Sequence, residues 1–181
     1  MFQPEVEPCW NTWKERSYRE SKQSEDKLYA VLTKEVSIRS YQSDDLDQVL
    51  GLFRLQVPTF FAAEEEVDLK HYLLHEKEHY FLLENQGEII GAGGLHLIHE
   101  QHEGRIAWDF IHPDYHGQRL GSMLLQKRLQ LCHENPSLKT VKVRTSQMAW
   151  KFYEKHGFQL LRKQKDFWAP GFDLYEMNLS L

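Results

Sequence analysis

The run Asp109-Phe110-Ile111-His112-Pro113-Asp114-Tyr115-His116-Gly117-Gln118-Arg119-Leu120-Gly121-Ser122 constrains this chain more than any other segment. A stretch with strand character, Gly104 to Ile111, breaks at His112-Pro113 and passes through a short loop into a helix expected over about Gln118 to His133. A strand that feeds directly into a helix commits the domain to a layered α/β or α+β arrangement. The first N–H groups of such a helix have no intrahelical acceptor and point the same way, along the positive end of the helix dipole. Gly117 and Gly121 would let an anion approach without side-chain obstruction. The junction is therefore a candidate pyrophosphate site. A glycine-containing junction that binds nothing is the alternative these residues leave open.

The flanking pattern supplies the other elements. Val36, Ile38 and Tyr41 alternate with polar residues as in a half-buried strand. Ser43, Asp44 and Asp45 suit a helix start, and Leu46, Val49, Leu50 and Phe53 follow at helical spacing. A second helix is expected within Phe60 to Glu78, with Leu69, Leu73 and Leu74 inward. Tyr80–Glu84 and Glu88–Ile98 read as strands around the turn Asn85-Gln86-Gly87, an antiparallel hairpin. Gly91, Gly93 and Gly94 in the second strand predict a bulge or a close approach by backbone or ligand, the alternative being a loose edge strand. On the helix after the junction, Leu120, Gly121, Leu124, Leu125, Leu129, Leu131 and Cys132 are expected to be buried. Ser122, Gln126, Gln130 and His133 form its polar stripe. Thr140–Arg144 reads as a strand, Met148–Lys155 as a helix ended by Gly157, and Phe158–Leu161 and Leu174–Leu179 as strands. This order predicts a mixed sheet flanked by helices.

At 181 residues, 41% hydrophobic and 27% charged, the chain can bury one full core. Residues 1–35 stand apart as an N-terminal extension, partly helical over about Thr12 to Leu32; the domain occupies residues 36–181. The formal charge of −5 argues against a nucleic-acid partner. Two cysteines, Cys9 and Cys132, are no disulfide scaffold, and Cys132 is expected to be a buried thiol. The start MFQPEVEPCW has no signal-peptide pattern, and no segment approaches the roughly 18 apolar residues of a membrane span. A cytoplasmic protein without a membrane partner is the expectation. There is no P-loop, and the glycines 91–94 lie inside a strand rather than at a strand-to-helix turn. The trios His71/His75/His79 and His96/His99/His102 lack any zinc pattern, so no metal is expected.

The run HPDYHGQRLGSMLL, followed after a strand by MAWKFYEKHGF, resembles the GCN5-related N-acetyltransferase (GNAT) family. In the family's pyrophosphate loop, [QR]-x-x-G-x-[GA], His116 stands at the Gln/Arg position, Arg119 at the first glycine, and Leu120-Gly121 completes the pattern. Ala149, Phe152-Tyr153-Glu154-Lys155 and Gly157-Phe158 match the second segment, and Ser146 stands where an Asn often lies. The resemblance spans about Val36 to Met177.

The resemblance implies a mostly antiparallel mixed sheet that splays open beside the first motif. It implies acetyl-CoA as acyl donor, with its pantetheine arm against the backbone of Phe110 and Ile111. The pyrophosphate would take N–H groups from Gln118 to Ser122, so the implied binding set is Phe110, Ile111, His116, Gly117, Gln118, Arg119, Leu120, Gly121, Ser122 and Ser146. Tyr153 would be the general acid toward the departing thiolate, since a phenol near pKa 10 is a modest step from a thiol. Asp109 is a candidate base for the amine; a structural or positioning role for it carries equal weight, with Glu100, Glu103 and His112 as other bases. The activity implied is direct transfer of an acetyl group to a primary amine of a small molecule or protein, and family analogy allows a homodimer. The alternative is a non-catalytic acyl-CoA-binding sensor or interaction module. The amine pocket would be walled by Val57–Glu66 and Lys165–Asp173. Phe60, Phe61, Trp168 and Phe172 offer aromatic surface, and Glu64, Glu65, Glu66 and Asp173 offer negative charge, a combination suited to a cation; a solvated helix start plus a packed hairpin is the reading of equal weight.

Overall fold

The structure is a computed structural model and describes residues 36–181. The expected helix over Thr12–Leu32 and the extension's role lie outside the described residues, as does Cys9. The compact unit discussed below is Ile38–Leu181.

Seven strands form one sheet in the order β1-β2-β3-β4-β5-β7-β6. They are β1 (Val36–Ser40), β2 (His79–Asn85), β3 (Glu88–Ile98), β4 (Glu103–Ile111), β5 (Thr140–Thr145), β6 (Gln159–Ala169) and β7 (Phe172–Ser180). The helices are α1 (Leu46–Arg54), α2 (Glu65–His71), α3 (Leu120–His133) and α4 (Trp150–Lys155). β2–β3, β3–β4, β5–β7 and β6–β7 pair antiparallel, and β4–β5 pair parallel across the α3 connection. The sheet is mixed and mostly antiparallel, as expected.

Two apolar clusters form the core. One packs Val49, Leu50, Leu52 and Phe53 of α1 with Leu69, Tyr72 and Leu73 against Tyr80, Leu82, Ala92 and Phe110. The other packs Leu125 and Cys132 of α3 and Tyr153 of α4 against Leu95, Ile106, Val141, Val143 and Met177. The Cys132 thiol is free and buried, and burial pushes its pKa up to about 11.

Several local expectations need revision. The second helix covers only Glu65–His71, then widens into a π-helical turn over Tyr72–Glu76. That turn shifts the face by about one position, so Tyr72 and Leu73 are buried while Leu74 is 49% exposed. The strand expected at Phe158–Leu161 runs from Gln159 to Ala169 and joins β7 directly, so much of the presumed wall Lys165–Asp173 is hairpin. Its run Arg162-Lys163-Gln164-Lys165-Asp166 is exposed on both faces, which removes the alternation that marks a strand. At the start of α1 it is Asp45 that closes the turn, accepting the Gln42 N–H at 2.7 Å and both Arg39 Nη groups at 2.7 and 2.8 Å.

Two irregularities in β4 position the site. Ala92 pairs with Phe110 and Gly94 with Ala107, so Trp108 and Asp109 together oppose Gly93. This is a β-bulge, with Trp108 at φ 53°. It turns Trp108 toward Phe53 and Phe61 on one face, and Asp109 toward α3 on the other. The second irregularity is a split. β5 pairs with β4 only from Glu103 to Ile106, whereas β4 continues to Ile111 beside β3. A gap therefore opens between the ends of β4 and β5, as the sequence resemblance implied.

Candidate active site

Beneath the gap lies a buried charge network. Arg128 of α3 is 1% exposed. Its Nε donates to the Leu124 carbonyl at 3.1 Å and Nη1 to the Gly94 carbonyl at 3.2 Å. Both Nη groups grip the Asp109 carboxylate, Nη1 on Oδ1 and Nη2 on Oδ2, the latter at 2.8 Å. The Tyr153 hydroxyl donates to the same Oδ2 at 2.6 Å. A charge this deep persists only when paired and hydrogen-bonded, and here it is both. Burial, then the Asp109 charge, pushes the Tyr153 phenol well above its ordinary pKa.

The glycines of β3 make room for this network. A Cβ on Gly93 would collide with Asp109 Oδ1 and approach Arg128 Nη1 to 2.9 Å; one on Gly94 would collide with the Tyr72 hydroxyl. The close approach expected from sequence is real, and it is made by side chains rather than by a ligand. The Arg128 signal was available in sequence as a charge between Leu124/Leu125 and Cys132 on the apolar face of α3, but nothing in the spacing named its partner.

The loop into α3 has the anion-site geometry. Gly117 takes φ 78°, and Arg119, the residue before the helix, takes φ 60° and ψ 10°. That left-handed conformation favours glycine, which accounts for the glycine of the family pattern at this position. The first bond into the helix is Met123 N–H to the Arg119 carbonyl at 3.1 Å, so the N–H groups of Leu120, Gly121 and Ser122 precede the intrahelical ladder. Gly121 faces the Phe152 ring, and a Cβ there would stand 3.4 Å from it. His156 Nδ1 donates to the Phe152 carbonyl at 2.8 Å, so its Nε2 accepts from the Ser122 hydroxyl at 3.0 Å.

A cleft of about 670 Å³ joins the gap to this loop. Phe110, Ile111, His116, Gly117, Arg119, Leu120, Gly121, Ser122, Ser146, Asp109 and Tyr153 all line it. Gln118 does not; its amide turns back to donate to the Asp114 carbonyl at 3.2 Å. Phe110 lines the cleft without free backbone. His112 N–H bonds the Ile90 carbonyl at 2.8 Å, and antiparallel alternation then commits the Phe110 backbone to Ala92 and aims the Ile111 N–H into the gap. The Ile111 carbonyl accepts from the His116 ring Nε2–H at 2.8 Å, so His116 braces the loop instead of extending into it. The alternative bases lie elsewhere. Glu103 is 2% exposed and held by Arg105 at 2.9 Å and Lys142 at 2.6 Å, and neither it nor Glu100 nor His112 lines the cleft.

The other wall is made by Phe60, Phe61, Trp108, Trp168 and Phe172, with Glu65, Arg105 and Arg144. Of the four acidic residues expected there, only Glu65 lines it. Glu66 pairs with Arg54 and Asp173 with Lys163. The negative pocket read from sequence is thus a mixed-charge one. Glu65 accepts the Ala62 N–H at 2.8 Å, and burial raises its pKa.

A split mixed sheet, a helix N-terminus at its mouth and a tyrosine beneath define an α/β domain with an open cleft between two strands. Residues 46–158 match the model of the acetyltransferase (GNAT) family, and the chain belongs to that family. It is 27% identical over 126 residues to a Bacillus subtilis protein named provisionally as a [ribosomal protein bS18]-alanine N-acetyltransferase, an alignment covering 68% of this chain and 80% of that one. It is 26% identical over 94 residues to an acetyltransferase of Sodalis glossinidius, covering 51% of this chain and 63% of the relative, just under two thirds of its length. The fold is similar to that of spermidine N-acetyltransferase from Vibrio cholerae, solved with CoA and spermine, with TM-score 0.62, 15% identity, and 81% and 96% of the two chains covered.

Proposed function

We propose that this protein transfers an acetyl group from acetyl-CoA directly to an amine. The observation that carries this reading is the placement of the Tyr153 hydroxyl, held by Asp109 and Arg128, at the base of a gap whose mouth is the N-terminus of α3. The gap suits the donor. The unpaired end of β4 suits an extended amide-bearing arm, and the N–H groups of Leu120, Gly121 and Ser122 suit the pyrophosphate. Relatives named as acetyltransferases, and a neighbour solved with CoA, support the same reading.

Each residue then has a task. The thioester supplies an activated acyl group. The Ile111 N–H polarises its carbonyl oxygen, a preorganised donor at developing charge. As the C–S bond breaks, the Tyr153 hydroxyl turns its one hydrogen from Asp109 to the departing sulfur, while the proton shed by the amine passes to solvent and the thiolate takes one from it. The Tyr153 phenol is a weaker acid than an exposed tyrosine, so it stabilises the thiolate by hydrogen bonding and stays protonated across the working pH range. Asp109 is a positioning residue, because both its oxygens already accept from Arg128 and Tyr153. Glu65 is the carboxylate placed to receive the incoming amine.

Thiol release from acetyl-CoA with a panel of amines tests this. Amine-dependent release that falls on the order of 10²-fold in Tyr153→Phe supports the reading. Tight acetyl-CoA binding without release for any amine would favour a non-catalytic acyl-CoA sensor.

A further inference from the structure

The cleft carries more positive charge than its proposed donor end requires. Its cationic side chains are Arg105, Arg119, Arg128, Arg144 and Lys155. Arg128 is neutralised by Asp109 and Arg105 by Glu103. Arg119 and Lys155 sit at the start of α3 and the end of α4, on the side proposed for phosphate. Arg144, near the end of β5, is on the opposite wall.

Among the described residues the Arg144 guanidinium makes no ion pair or hydrogen bond. It lies over the Phe167 ring at 4.8 Å and the Trp168 ring at 5.0 Å, two rings set edge to face at 4.9 Å. Contact with the two rings holds the guanidinium in place and leaves N–H groups to meet a carboxylate or phosphate in a two-point grip. Its surroundings favour an anion. Arg162 and Arg105 are the nearby cations, and the nearby anion Glu176 is already paired with Arg162 at 3.1 Å. Glu65, on the same cleft, supplies the opposite pole.

We infer that the acceptor is an amine that also carries an anionic group, a carboxylate or a phosphate, held by Arg144 while its amine faces Glu65. The inference rests on the acetyltransferase reading and deepens it.

Matched acceptors of one chain length test it: an amine bearing a terminal carboxylate, phosphate or uncharged amide. Initial rates are read by thiol release for the wild type, Arg144→Gln and Arg144→Lys, with thermal midpoints checking the fold and calorimetry checking acetyl-CoA binding. The wild type should prefer an anionic acceptor about tenfold or more in kcat/KM, expressed in KM, the scale of a charge-assisted hydrogen bond. Which anion wins identifies the source. Arg144→Gln should collapse the ratio toward one, and Arg144→Lys, which keeps the charge without the fork, should retain part of it. Equal use of the amide, or a preference that survives in Arg144→Gln, overturns the inference and leaves the acetyltransferase reading standing. Absence of both acetyl-CoA binding and turnover overturns that reading and the inference with it.

Discussion

The Asp109 carboxylate holds the buried Arg128 guanidinium with both oxygens and takes the Tyr153 hydroxyl on one of them. Strand, long helix and short helix thus meet in one ion pair directly under the gap. Removing either member leaves the other buried and uncompensated, which costs about 3–5 kcal/mol. Asp109→Asn and Arg128→Met should each show that loss in urea unfolding. The double variant Asp109→Leu/Arg128→Met should be more stable than either single one, because no unpaired charge remains. A double variant less stable than both singles would contradict this.

The glycine of the bulge is a steric requirement of the same pair. Gly93→Ala should cost about 1–3 kcal/mol, because its Cβ meets Asp109 and Arg128 in a packed interior. Gly51→Ala in α1, where nothing stands within 4 Å of the added carbon, should instead gain up to about 1 kcal/mol from helix propensity. Chemical unfolding of the two variants side by side gives both signs at once.

Tyrosine ionisation should mark the unfolding of this protein at high pH. Burial raises the pKa of Tyr72, Tyr80 and Tyr153 above the ordinary value of 10.0, with the Asp109 charge adding to each. A raised folded-state pKa contributes stability that is complete below the unfolded value and is lost as pH rises above it. The fold should therefore hold through neutral pH and weaken progressively above about pH 10. Tyrosinate absorbance should show these three groups ionising together with loss of circular dichroism, separately from exposed tyrosines. Ionisation of all tyrosines in the intact fold would refute the burial argument.

How much of this was legible beforehand follows the range of the interaction. The turn Gln86-Gly87, with φ 50° and 87°, and the strand-to-helix junction are local, so they could be read directly. The split of the sheet came only through the family resemblance, because the register of β4 against β5 leaves no local mark. Arg128 was hidden because its partner lies 19 residues away on a bulge, and the bulge itself appeared only as unexplained glycines. The mixed charge of the acceptor wall was misread for a similar reason. Glu66 and Asp173 are spent on Arg54 and Lys163, while Arg144 enters from a strand that the sequence pattern did not connect with the cleft.

The central claim, that the gap beside α3 holds acetyl-CoA, is tested most directly by calorimetric titration of the full chain and of Gly121→Glu, which sets a carboxylate where the pyrophosphate would lie. Saturable binding by the wild type that is lost in a folded Gly121→Glu is the predicted result. No binding by the folded wild type, or equal binding by both, would contradict it.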